Sequence, residues 1–227
     1  MRYAMLLKPH PNVRYRQSLQ KLALIELECI LNAWHVTCDR PRMAYLVNEP
    51  FLVFEAQELN EAAWAAISRH SAICLAAQLR DDGALQPVAR ACAGWLPEDL
   101  PHVLKYKGKT NADFTYLMLH CARAASAFAH EPGPLRILDP MCGKGTTLMC
   151  ALCENCDAVG VDTDAKAIRE AESYLERSLK LHRIKHRRAS GALTLPDGKS
   201  ARWSEYALAP DAQIMRTSPL SVRMIHG

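Results

Sequence analysis

The sequence predicts a mixed α/β protein in two parts, and three observations carry that prediction. The first hundred residues alternate short β-rich runs with amphipathic helical stretches in the order β-α-β-β-α-β. A proline-punctuated connector follows over 84–104, with Gln86-Pro87, Trp95-Leu96-Pro97 and Leu100-Pro101. Beyond it, Leu135–Leu148 (L-R-I-L-D-P-M-C-G-K-G-T-T-L) reads as a strand, a glycine-rich turn and a helix. The order of the first part is that of a ferredoxin-like α+β unit, assigned to residues 1–100. The second part, 101–227, reads as an incomplete Rossmann-like domain.

Taken in order, Tyr3–Leu7 reads as a strand. Ser18 is a cap for a helix to about Trp34, with Leu19, Leu22, Ala23, Ile30 and Leu31 on one face. Met43–Val47 and Phe51–Phe54 are strands separated by Asn48-Glu49-Pro50. A second helix spans about Asn60–Arg69, and Ala72–Leu79 is a strand before the Asp82-Gly83 turn. After the connector, Thr110-Asn111 caps a helix over Asp113–Phe128, with Phe114, Leu117, Met118, Cys121 and Ala125 expected on its buried stripe. Glu131-Pro132-Gly133-Pro134 ends that helix. A further helix begins at Asp164, whose side chain suits an N-cap, and its expected buried face is Ile168, Ala171, Tyr174 or Leu175, and Leu179. Ala192–Leu195 and Arg202–Leu208, joined by Pro196-Asp197-Gly198-Lys199, look like a hairpin. No pattern is read beyond Pro210.

The glycine turn is built to hold a ligand. Gly143 and Gly145 allow a tight reversal and a closer approach to the backbone than a Cβ would permit. About twenty residues on, Ala158-Val159-Gly160-Val161-Asp162 is a second strand with an acidic end, where a Rossmann-like unit places the carboxylate that grips a ribose diol. The turn is no dinucleotide fingerprint, because position 148 is Leu. It is no Walker motif either, because Lys144 sits between the glycines. Asp139, just before the turn, would repel a triphosphate and suits a ligand with positive charge.

D-P-M-C-G-K-G-T-T resembles the D-P-x-x-G-[ST]-G-[ST] motif of class I S-adenosylmethionine (SAM) methyltransferases that modify exocyclic amines of nucleic-acid bases. Tyr106-Lys107-Gly108-Lys109-Thr110-Asn111-Ala112-Asp113-Phe114-Thr115 is similar to the segment preceding that motif in THUMP-type tRNA guanine methyltransferases and a related RNA methylase family. With G-V-D-T-D at 160–164, three blocks match in order over roughly 104–190. The resemblance implies SAM as cofactor, held by Asp139, Pro140, Met141, Cys142, Gly143, Gly145 and Thr146, with Asp162 on the ribose. The amides around Cys142–Gly145 would then meet the carboxylate of SAM. Thr110 and Phe114 correspond to the segment that closes over its methionine moiety. Read as plain structure, they are a helix cap and a core anchor. The implied reaction is transfer of a methyl group to a base amine, guanine in tRNA foremost, with RNA preferred to DNA.

Composition sets outer bounds. The 227 residues are 49% hydrophobic and 23% charged, a globular balance. No apolar run reaches the ~18 residues of a membrane span, and Lys8-Pro9 interrupts the N-terminal one, so a cytoplasmic protein is expected. Nine cysteines without an export signal suggest free thiols. Cys150, Cys153 and Cys156 have the C-x-x-C-x-x-C spacing of an iron–sulfur run, but no Cys-Pro follows, and small buried thiols are the other reading. The net charge of +4 is unevenly spread. Lys180, Arg183, Lys185, Arg187 and Arg188, with His182 and His186, form a basic segment, and Lys105, Lys107 and Lys109 a smaller one. Phosphate binding is one reading and a solvated helix end the other.

The chain also departs from the family. Base-amine methyltransferases carry a [DN]-P-P-[YFW] segment whose polar side chain and aromatic orient the flipped base. Ser218-Pro219-Leu220-Ser221 lacks the acid or amide, the second proline and the aromatic. No residue stands out as a general base. About ninety residues follow the first strand of the second part, so a truncated relative that binds SAM or nucleic acid without catalysis is the alternative expectation.

Overall fold

The computed structural model describes residues 1–9, 13–57, 59–91, 94–102, 110–131, 133–196 and 198–227. Lys105–Lys109, which hold the smaller basic cluster and the start of the family-like segment, lie outside the described residues, as does Asp197. The described chain is a mixed α/β structure with two five-stranded sheets and six helices. It divides into two compact units. Met1–Cys92 joins Tyr116–His130 in one, and Ala93–Thr115 joins Glu131–Gly227 in the other. The expected boundary near 100 is one cut in the sequence, whereas the units interleave.

In the first unit the order is β1 (Arg2–Leu7), α1 (Val13–Ala33), β2 (Arg42–Leu46), β3 (Glu49–Glu55), α2 (Glu61–Ser68), β4 (Ile73–Leu79) and β5 (Leu85–Val88). The sheet runs β2-β3-β1-β4-β5, antiparallel at every pairing. Alternation along β1 sends Tyr3, Met5 and Leu7 to one face, where Leu27, Ile30 and Leu31 of α1 and Ile67 of α2 cover them. Three expectations change. Helix α1 starts at Val13, so Ser18 lies inside it and caps nothing. The β2–β3 turn is formed by Val47 and Asn48, both at positive φ, which suits the right-handed twist of a two-residue hairpin. Gln86-Pro87, read as connector, belongs to β5, because a proline is tolerated on an edge strand where its missing N–H faces no partner.

Among the described residues of this unit one carboxylate is buried. Glu26 of α1 is wholly buried and accepts hydrogen bonds from Ser71 N at 2.8 Å, from the Ser71 hydroxyl, and from His120 Nδ1 at 2.7 Å. His70 Nδ1 accepts from Ala72 N at 3.1 Å, so its Nε2 carries the proton and donates to Ala23 O at 2.9 Å. Burial pushes the His70 imidazole below its ordinary pKa. Burial would raise Glu26, yet the facing imidazoles and the Ser71 hydroxyl hold it well below the carboxylate range.

Helix α3 (Ala112–Ala124) is capped by Asn111, whose Oδ1 accepts from Phe114 N at 3.1 Å. It is shorter than expected. The Ser126 hydroxyl donates to Arg123 O and accepts from Phe128 N, a local alternative to the helical ladder. The expected buried stripe is also corrected, since Phe114 and Met118 are 41% and 42% exposed and the buried positions are Ala112 and Thr115.

The second unit continues with β6 (Arg136–Asp139), α4 (Thr146–Cys153), β7 (Asp157–Asp162), α5 (Ala165–Leu181), β8 (Lys185–Thr194), β9 (Ser200–Ala209), α6 (Ile214–Thr217) and β10 (Leu220–His226). Its sheet runs β6-β7-β10-β9-β8. β6, β7 and β10 are mutually parallel, and β9 and β8 return antiparallel. Helix α5 buries Ile168, Ala171, Tyr174, Leu175 and Leu179, the stripe its period predicts. β10 is an addition to the sequence reading. Leu220, Val222 and Met224 alternate with Ser221 and Arg223, a period-two signal that was legible. Among the described residues no helix is long and apolar enough to cross a membrane.

Candidate functional site

The carboxyl ends of the parallel strands β6 and β7 lie side by side, with Asp139 paired in register with Gly160. Open parallel sheets bind ligands in this position. Asp139 Oδ1 accepts from Met141 N at 3.0 Å and starts the turn. Pro140 and Met141 are exposed at its tip, Met141 by 82%. Cys142 folds back, its N–H donating to Val161 O at 3.0 Å. Gly143 and Gly145 have φ of +52° and +81°, conformations that strain any L side chain. A Cβ at Gly143 would meet open space, so that glycine is required by its backbone and leaves room beside it.

Asp162 ties the second strand to the turn. Its Oδ2 accepts from Gly143 N at 2.7 Å and its Oδ1 from Asp164 N at 2.8 Å. The Asp164 and Gly143 amides hold its carboxyl below the ordinary range. Each oxygen keeps a second lone pair, so these bonds do not exhaust it as an acceptor. Asp164 caps α5, accepting from Lys166 N at 2.8 Å and Ala167 N at 3.2 Å. The two neighbouring acids thus have separate structural tasks.

Three of the amides assigned to a ligand carboxylate are bonded within the protein. Cys142 N goes to Val161 O, Gly143 N to Asp162 and Gly145 N to Cys142 O. The first turn of α4 is different. Its N-cap is Gly145, which has no side chain to accept from the Thr146, Thr147 and Leu148 amides, and no acidic residue lies in that turn. A helix start without its own acceptor favours an anionic group of a ligand. Lys144 pairs with Glu170 Oε2 at 2.5 Å.

Close packing fixes the turn from below. A Cβ at Gly160 would lie 2.7 Å from both Cys142 Sγ and Leu148 Cδ1, so β7 needs glycine where the turn and α4 rest on it. Cys142 is buried, and burial, with the Asp139 and Asp162 charges beside it, pushes its thiol up to about 12. It is a packing residue, not a nucleophile. Cys150, Cys153 and Cys156 are also buried. Their sulfurs lie against three different carbonyls, those of Ala112, Pro97 and Glu154. Thr110 is exposed and Phe114 partly so. Their segment meets α4 where Cys150 Sγ donates to Ala112 O at 3.9 Å.

The basic segment divides by position. Lys180 is on the last turn of α5, and Arg183 follows in a left-handed conformation, φ +55°. Lys185, Arg187 and Arg188 are on β8, so only the first part of the segment is a helix end. Arg188 turns toward α5, reaching Glu172 Oε2 at 3.1 Å and Glu176 Oε1 at 3.5 Å. Its guanidinium also lies 5.6 Å from the Tyr206 ring centroid. Arg183, Lys185 and Arg187 are exposed and have no ion pair among the described residues. Ser218 follows α6 and Leu220 opens β10, so the Ser218–Ser221 stretch is a strand entry. Neither a family model nor a curated protein matches this chain.

Proposed function

We propose that the second unit binds SAM and that the protein methylates an exocyclic amine of a nucleic-acid base, guanine in tRNA being the substrate class the motif resemblance points to. The observation that carries this reading is the Asp162 carboxylate at the end of β7, bonded to the Gly143 amide of the glycine turn. The parallel order β6-β7-β10, with the strand–turn–helix on β6, supports a Rossmann-like reading. The order β2-β3-β1-β4 with two helices against one face supports a ferredoxin-like reading of the first unit.

The residues fit such a cofactor. Asp162 would hold the ribose diol, Asp139 the cationic end, and the uncapped amides of α4 the carboxylate, with Gly143 leaving space for approach. Bound SAM supplies a methyl group on a sulfonium, already activated for in-line displacement. The protein's part is alignment of the amine and exclusion of water. RNA is the proposed polymer, contacted through Lys180, Arg183, Lys185 and Arg187. Arg188 is the member of that segment engaged with α5.

A second reading, SAM or nucleic-acid binding without catalysis, is favoured by one observation. Ser218–Ser221, the nearest counterpart of the amine-orienting tetrapeptide, leads directly into β10 and carries neither an acid or amide nor an aromatic. Calorimetry with SAM and transfer of labelled methyl to bulk tRNA and to DNA test both. Binding with turnover supports the enzyme, and binding without turnover supports the second reading. No SAM binding at millimolar concentration sinks both cofactor assignments.

A further inference from the structure

The first unit is made of two stretches of chain, Met1–Cys92 and Tyr116–His130. The second stretch meets α1 and the turn after it through contacts that keep one order along both partners. His120 Nδ1 donates to Glu26 Oε1 at 2.7 Å, and His130 meets Trp34 edge to face with ring centroids 4.6 Å apart. Between these two contacts lies a pair of thiols, in which Cys121 Sγ–H donates to the Cys29 sulfur. Cys29 stands about one helical turn beyond Glu26 on the same side of α1, and Cys121 directly follows His120. The Glu26–His120 bond therefore holds the two cysteines facing each other.

The surroundings of the pair differ from those of Cys150, Cys153 and Cys156. Those three are buried, whereas Cys29 and Cys121 are both half-buried, so a small solute in water can reach them. Burial, with the Cys29 sulfur and the Glu26 carboxylate beside it, pushes the Cys121 thiol up to about 12, and it stays protonated at neutral pH. Cys29 is then the sulfur that meets an oxidant, and Cys121 the one that displaces what the oxidant leaves there. A disulfide sets its sulfurs ~2 Å apart on neighbouring Cβ atoms. Two thiols already in hydrogen-bond contact reach that by side-chain rotation, with the helices in place.

We propose that Cys29 and Cys121 are a reversible oxidation site, closed to a disulfide by a hydroperoxide and reopened by a small thiol. The Cys29 thiolate attacks one peroxide oxygen, the O–O bond breaks, and the Cys29 sulfenic acid forms while the departing hydroxide takes a proton to become water. The Cys121 sulfur then attacks that of Cys29, the S–O bond breaks as the S–S bond forms, and the second hydroxide leaves as water with the Cys121 proton. Two thiols lose two electrons in all, and the peroxide takes them up. Two equivalents of a small thiol reverse the step by exchange and end as their own disulfide. The bond ties Tyr116–His130 to α1 covalently, where the reduced unit relies on noncovalent contacts such as the Glu26 and Trp34 ones. The site lies in the first unit and is independent of SAM binding by the second.

The test treats the full chain, reduced and then freed of reductant, with an equal concentration of hydrogen peroxide, followed by iodoacetamide and trypsin without reduction. Mass spectrometry is expected to find the Cys121 peptide, Thr110–Arg123, joined to the peptide that holds Cys29 as the most abundant linked pair, and to lose that link after dithiothreitol. Fragmentation distinguishes Cys29 from Cys38, which shares its tryptic peptide. The same treatment in urea should scatter links among the nine cysteines, because the fold selects the pair. Oxidation is also expected to raise the thermal midpoint of the wild type by at least about 5 °C, since the bond closes a loop of about ninety residues, and to raise neither Cys29→Ser nor Cys121→Ser. The proposal is overturned if the folded wild type lacks the link, joins Cys121 to Cys38 instead, or carries Cys29 on to the sulfinic acid with Cys121 still alkylated. An equal preference for the pair in urea also overturns it. The peptide readout needs no variant, so it decides even where a serine variant does not fold.

Discussion

Asp162 shows how one side chain can serve both fold and ligand. Its two oxygens fasten the Gly143 turn and the entry to α5, so replacement disturbs the apo protein as well as any ribose contact. Asp162→Asn keeps the shape and one acceptor. It is expected to weaken SAM binding by about 1 to 3 kcal/mol by calorimetry, the scale of a charge-assisted hydrogen bond. Unchanged affinity would remove Asp162 from the site. His70 allows a second prediction, on stability. Its folded pKa lies below the ordinary imidazole value of 6.5, so the unfolded chain takes up the proton first. The stability it contributes is complete above pH 6.5 and is lost as pH falls from there through the folded pKa, at up to about 1.4 kcal/mol per pH unit. Glu26, whose folded pKa is also depressed from 4.5, adds a loss of the same sign at lower pH. The thermal midpoint should therefore fall between pH 6.5 and 5, and fall less in His70→Gln. Equal profiles for the two proteins would contradict the neutral, buried imidazole.

At the scale of elements, the contact of β7 with α4 is set by an absent side chain. Gly160→Ala places a methyl group 2.7 Å from Cys142 Sγ and Leu148 Cδ1 and 2.9 Å from Cys142 Cβ, so the Leu148 side chain and the turn at Cys142 must shift to admit it. A loss of about 1 to 3 kcal/mol in urea denaturation is expected, the usual cost of overpacking. Weaker SAM binding should accompany it, because Cys142 belongs to the turn. Strand β8 provides a contrast between neighbours. Arg187 and Arg188 are adjacent in sequence and on opposite faces, and Arg188 is paired with Glu172 and Glu176 at 47% side-chain exposure. Arg188→Gln should cost no more than about 1 kcal/mol of stability and leave the salt dependence of RNA binding intact. A flattened slope in that variant would mean that Arg188 leaves α5 for phosphate.

For the molecule as a whole, binding and folding are linked. If SAM binds the native turn and not the unfolded chain, SAM at a hundred times its dissociation constant stabilises the native state by about 2.7 kcal/mol. The thermal midpoint should rise accordingly, and Asp162→Asn should need proportionally more SAM for the same rise. A midpoint insensitive to millimolar SAM would oppose the cofactor assignment independently of any methyl-transfer assay.

Local chemistry was legible without coordinates wherever the cause is local. Gly143 and Gly145 mark positive φ, Asp164 and Asn60 mark helix starts, and the 3.6-residue period of α5 names its buried face. The limits of α1 and α3 were not, because Ser18 looks like a cap whether or not helix precedes it, and Ser126 ends α3 through bonds that a propensity does not contain. The basic segment misleads for a related reason. Five cations over residues 180–188 read either as a phosphate site or as a solvated helix end, yet Tyr206 and two glutamates of α5 give Arg188 a place in a strand. Phe114 and Met118 are apolar at helical spacing, but the sequence cannot say which neighbour would cover them. Tertiary structure alone decided that Asp162 reaches Gly143, nineteen residues away, and that Trp203 stands opposite Gly191. A strand pairing sets both, and pairing partners depend on the register of the whole sheet, which no short window of sequence encodes.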